Sequence, residues 1–168
     1  MNIDNKIPLP NTELKIGELP NEYLTFILGK ETYGIDILKV QEIRSYENVT
    51  TIANLPAHIK GVVNLRGSIV PIIDLRIKLN LKSVEYNDFT VVIVLNIKNQ
   101  TIGIVVDRVF DVMEFKSEEM RNVPQLLDTS TKHIDAIAHS EDTMVALVNI
   151  EELIDSNEIS LIGQSSIQ

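Results

Sequence analysis

The side chains best suited to moving a proton or holding a metal in this 168-residue chain are its three histidines and three pairs of neighbouring carboxylates, Glu118-Glu119, Glu141-Asp142 and Glu151-Glu152. His133 and His139 stand six positions apart; on one strand, at roughly 3.3 Å per residue, they share a face about 20 Å from each other, too far to bind one ion. Carboxylates adjacent in sequence point different ways on a strand or a helix, and each pair sits beside a turn or a helix start, where solvation and the helix dipole account for it. No serine or threonine lies in a recognisable nucleophile motif. The seven glycines form neither GxGxxG nor GxxxxGK[ST], so no phosphate cradle is expected. With no cysteine there is no disulfide framework, no thiolate-bound metal and no cysteine nucleophile, and a reducing compartment suits the chain. The expectation is a protein with no catalytic group, no metal and no cofactor, because such sites need side chains that converge in space.

The charge pattern narrows the partners. A formal charge of -9 and a pI near 4.8 create a field that opposes phosphate backbones and anionic lipid, so neither nucleic acid nor direct membrane insertion is expected. No run of about 18 apolar residues appears, and MNIDNKIPLPNTELKIGELP at the start places acids and prolines where a secretory signal needs an unbroken apolar stretch. A cytoplasmic location follows as the expectation.

The elements that must position any surface can be read from periodicity. Residues 1–20 read as a flexible tail, 21–161 as the folded domain and 162–168 as a second tail. YLTFIL (23–28) and ETYGI (31–35) predict a hairpin across Gly29-Lys30. Asp36 is placed to cap a short helix over ILKVQEI with Ile37, Val40 and Ile43 on one side, a strand being the alternative. PAHIKG (56–61), with Pro first and Gly last, predicts one helical turn. VVNL and SIVPII predict a hairpin with Arg66-Gly67 at its tip, and Pro71 predicts a sheet edge or a bulge. Asp74 then caps a short helix over LRIKL. DFTVVIVLNI (88–97), apolar on both faces, predicts a central strand. TIGIVVDRV and FDVMEF follow as strands, IDAIA and TMVALVNI as a hairpin across HSED, and Asn149 as the cap of a last helix.

Nine or ten short strands without alternating long helices predict an all-β fold, with two small barrels filled by Val and Ile favoured over one wide barrel. Such a fold serves a binding surface or a small-ligand pocket equally well.

Beyond these patterns, GVVNLRGSIVPIIDLR (61–76) closely resembles the central signature of the CheW family of chemotaxis adaptors. The likeness extends to YGIDILKVQEIR before it and to NDFTVVIVLNI and GIVVDRVFDV after it, covering Glu22 to Leu161. What it implies is a non-catalytic adaptor of two packed five-stranded β-barrels with short helices. Its implied partners are the cytoplasmic hairpin tips of chemoreceptors and the regulatory domain of the histidine kinase CheA. By motif, Val40, Glu42, Gly61, Arg66 and Val112 are the implied receptor-facing positions, and Arg121 and Leu126 in RNVPQLL the kinase-facing ones. Many relatives carry an aromatic where this chain has Leu126. A paralogous adaptor serving another kinase array fits the same motifs.

Overall fold

The computed structural model describes residues 16–124 and 133–154. Eleven strands form two sheets. β1 (Glu22–Leu28), β2 (Glu31–Asp36), β8 (Arg108–Glu114), β9 (Met120–Arg121), β10 (Ile134–Ser140) and β11 (Thr143–Val148) make a six-stranded sheet in the order β8-β1-β2-β11-β10-β9. β3 (Val40–Ser45), β4 (Ile59–Leu65), β5 (Ser68–Asp74), β6 (Val91–Ile97) and β7 (Gln100–Val106) make a five-stranded sheet in the order β3-β6-β7-β5-β4. Two four-residue helices, α1 (Leu75–Lys78) and α2 (Ile150–Leu153), complete the described elements with three 3-10 turns.

Strand periodicity explains how two sheets share one core. On β6, Ile93, Leu95 and Ile97 face a large cluster built from both sheets, with Phe26 and Ile35 from one and Ile73, Ile102 and Ile104 from the other. The alternate residues Val92 and Val94 face a second cluster with Val63, Val70, Ile72 and Val105, enclosed within the five-stranded sheet. A third cluster, with Tyr23, Phe115, Met120, Ala136, Ala138, Val145 and Leu147, lies within the six-stranded sheet. Each sheet therefore curls around a small core of its own and contributes its other face to the common one. Fully burying a side chain of this size contributes about 1.5–3 kcal/mol, which is why the two-faced strands sit centrally.

The five-stranded sheet is rolled until its edges meet. Thr50, beyond the end of β3, pairs with Val62 of β4 through two backbone bonds, Thr50 N to Val62 O at 2.8 Å and Val62 N to Thr50 O at 2.9 Å. In the six-stranded sheet the two edge strands β8 and β9 are joined by the short link that carries buried Phe115.

Several expectations require correction. Asp36 does cap, its side chain accepting from Leu38 N, but it starts only the 3-10 turn Ile37–Lys39 before β3 begins; the branched Val40 and Ile43 instead pair in register with Leu95 and Ile93. PAHIKG forms a single turn, Ile59 N to Pro56 O at 3.0 Å, and Gly61 lies within β4 at a register shift. β5 is interior in the strand order, but its ladder to β7 begins only at Ile72, so Pro71, paired with Val62 of β4 alone, stands where the strand is locally an edge and no donor is needed. Asp88–Thr90 precede β6, leaving Phe89 exposed, and the strand break downstream falls at Asp107. Asp74 and Asn149 cap α1 and α2 as predicted.

Candidate functional site

The β4–β5 hairpin turns on Arg66 (φ 51°) and Gly67 (φ 89°), a pair of left-handed residues suited to a two-residue connection. Gly67 N donates to Asn64 Oδ1 at 2.9 Å and fixes the tip. Arg66 is 78% exposed, yet its Nη2 reaches back 2.9 Å to Glu42 Oε2 on β3. Arg44 Nη1 lies 3.8 Å from the other oxygen of the same carboxylate. Glu42 is thus flanked by two arginines across the seam where the sheet's edges meet, and most of the Arg66 side chain remains in water. Val40, two residues before Glu42, is half-buried against the common core. A β-bulge between Val40 and Glu42 adjusts the strand there.

Gly61 belongs to the seam rather than to its outer surface. It is buried at φ 136°, and a Cβ added there would lie 1.9 Å from Thr50 O. Only glycine permits the backbone approach that the Thr50–Val62 pairing requires. Its part in any binding surface is therefore to shape the backbone, not to touch a partner.

The remaining predicted positions lie elsewhere. Val112 is on edge strand β8 of the other sheet, opposite Leu24, and is 49% exposed; nearby Phe110, at the register shift of that strand, is 53% exposed. Arg121 lies in β9, the opposite edge, and its Nη1 donates to Glu118 O and Met120 O at 2.6 and 2.9 Å. An open groove there is lined by Glu118, Glu119, Arg121, Ile137, His139 and Met144. Leu126 falls outside the described residues. The structure thus brings Glu42 and Arg66 into contact, sets Val40 beside them, and leaves Val112 and Arg121 on separate edges of the second sheet.

Sequence reasoning missed the most strongly bonded polar group. Arg76 in α1 is fully buried, with Nε on Asp74 Oδ1 at 3.0 Å, Nη2 on Asp74 Oδ2 at 2.9 Å and Nη1 on Asp107 Oδ1 at 2.8 Å. Tyr86 donates its hydroxyl to Asp74 Oδ2 at 2.6 Å, and its ring lies 4.8 Å from the Arg76 guanidinium. Burial disfavours the charged guanidinium, but hydrogen bonds to Asp74 and Asp107 and their negative charge more than offset it, so the Arg76 pKa lies above the ordinary value. Burial, followed by its bond to Asp74, raises the Tyr86 pKa as well. The available signal was an arginine two places after a capping aspartate, which amphipathic logic assigns to solvent.

Of the groups first considered for chemistry, Glu118, Glu119, Glu141 and His139 border the same open groove, whereas Glu151, Glu152 and His133 lie away from it. His133 precedes β10 and its pKa is lowered by burial, while His139 is exposed on β10. Among the described residues no cluster of three or more histidine or carboxylate side chains could hold a metal. Nor is any helix among them long and apolar enough to cross a membrane. What the seam offers is an ion pair between exposed Arg66 and half-buried Glu42, on a strand where half-buried Val40 and exposed Ile43 are the apolar side chains.

Comparison with known proteins bears on the whole domain. Residues 22–158 match the family model described as a CheW-like domain. The chain is similar to chemotaxis protein CheW of Klebsiella aerogenes, 51% identical over 142 residues covering 84% of this chain and 86% of that protein. It is 31% identical over 143 residues to chemotaxis protein CheW of Treponema pallidum, covering 82% and 84%. Among solved structures it resembles the scaffolding protein TtCheW from Thermoanaerobacter tengcongensis, with a TM-score of 0.76 and 28% identity over 83% of this chain and 96% of that one.

Proposed function

The chain belongs to the CheW-like family of non-catalytic chemotaxis scaffolds, and from that premise we propose that it couples the cytoplasmic tips of chemoreceptors to the histidine kinase CheA. The family match over residues 22–158 carries this reading. The receptor-facing surface is centred on the seam of the five-stranded sheet. Val40 supplies apolar contact, Arg66 presents a cation to an acid on the receptor helix, and Glu42 holds that cation in place between engagements. Gly61 shapes the seam from beneath, and Val112 contributes from the six-stranded sheet. This is helix-in-groove recognition supplemented by charge.

Kinase contact runs through Arg121, on edge strand β9, and through Leu126 by its motif, in docking to the barrel-like regulatory domain of CheA. Alternating heterologous contacts of that kind close into rings. The protein works in the cytoplasm, held at the membrane through receptors alone. Receptor state reaches the kinase only if the adaptor binds the two states with different affinity, since a ligand shifts an equilibrium by differential affinity and by nothing else.

Reconstitution tests the proposal. Membranes carrying receptors, mixed with CheA, are expected to reach full kinase activity only when this protein is added. Equal activation in its absence would contradict the coupling role.

A further inference from the structure

Among the described residues the chain passes between the two sheets at two places. The first is the 3-10 turn Ile37–Lys39 joining β2 to β3, and the second is Asp107, the single residue between β7 and β8. The two crossings are tied very differently. At the first, Lys39 pairs with Glu151 of α2 at 3.0 Å, with both side chains about a third exposed. At the second, Asp107 is held from both sides. Its Oδ1 accepts from buried Arg76, whose helix follows β5 of the five-stranded sheet. Its Oδ2 accepts from Gly29 N at 2.6 Å, in the β1–β2 turn of the six-stranded sheet, and its own amide donates to Ile27 O of β1 at 3.1 Å.

We propose that Arg76 and Asp107 form a clasp that sets the angle between the two sheets, making Arg76 a positioning residue for any partner that touches both. The carboxylate at the crossing is the shared acceptor of one donor from each sheet, and Arg76 is itself held against rotation. Four of its five guanidinium N–H groups are engaged, on Asp74, Asp107 and Glu85 O. A planar, forked cation bound at that many points has one orientation, which a lysine could not reproduce. The surface pair at the first crossing has no such constraint. Motion between the sheets therefore pivots on Asp107 and opens on the Lys39 side, next to Val40 and Glu42. The clasp does not depend on which partner binds the protein, and its test uses none.

Because the chain has no cysteine, spin labels can be placed at Asn96→Cys and Met144→Cys, exposed positions on the two sheets. Pulsed dipolar spectroscopy then reads the distance between sheets in the full chain. Asp107→Asn keeps the shape but leaves one oxygen for two donors, and is expected to broaden that distribution by about twofold, while Lys39→Gln leaves it unchanged. A merely structural role would lower the melting temperature without altering the distribution, so a folded Asp107→Asn protein with the original width overturns the clasp. Should that variant not fold, amide exchange in the unaltered chain decides. Gly29 and Gly67 both donate to a side chain in a hairpin turn, and the clasp requires Gly29 to exchange about tenfold slower or more. Equal rates overturn it.

Discussion

One sixteen-residue stretch, 61–76, carries two arginines that meet opposite fates. Arg76 is enclosed, with both carboxylate partners aimed at it from fixed backbone, whereas Arg66 stands at a hairpin tip, 78% exposed and bound to one carboxylate. The chemistry is the same; desolvation separates them. A buried guanidinium is held only where nearly all its donors are engaged, so it can specify geometry but has little left to offer a partner. An exposed ion pair is worth about 0–1 kcal/mol to the fold, so its bonding capacity is available for exchange. The first region is architecture and the second is the proposed interface.

The contrast can be broken most forcefully at Arg76. Arg76→Met leaves Asp74 and Asp107 without their cation and is expected to cost about 3–5 kcal/mol in denaturant unfolding. Gly61→Ala follows, at about 2–4 kcal/mol, because a Cβ 1.9 Å from Thr50 O disrupts the seam at a positive φ. Tyr86→Phe removes one donor to the Asp74 carboxylate and should cost about 1.5–3 kcal/mol. Arg66→Ala, by contrast, should change stability by less than about 0.5 kcal/mol. If Arg66→Ala and Arg76→Met destabilised equally, the distinction between the two regions would fail.

A smaller effect concerns acid. Burial lowers the His133 pKa below the ordinary 6.5, so the unfolded chain takes up its proton first as pH falls. Stability is complete above about 6.5 and declines below it, until the folded form also protonates. His133→Gln should flatten that part of the pH profile, as thermal melts between pH 5 and 7.5 would reveal.

The same contrast marks what was legible in the sequence. Hairpins were readable because short turns with positive-φ residues punctuate branched strands, and β6 was readable as central because both its faces are apolar. Asp74 was legible as a cap, since that interaction is local. Its burial was not, because Asp107 and Tyr86, which complete the network, lie far from α1 in sequence. The Glu42–Arg66 pair was hidden for a related reason: periodicity tells which residues share a face, not which edges meet when a sheet rolls closed. Gly61 was misread as the end of a helical turn because a close backbone approach leaves no periodic mark. Motif likeness named Val40, Glu42, Gly61 and Arg66 as receptor-facing without any sign of the seam on which Glu42 and Arg66 meet or of the burial of Gly61.

The proposed role rests on a pre-formed surface at the rolled edge of the five-stranded sheet. Calorimetric titration of the full chain and of Arg66→Ala with a receptor tip fragment tests it most directly. The variant is expected to melt as the unaltered protein does and to bind about tenfold more weakly or worse. Identical binding by the two proteins would contradict the claim.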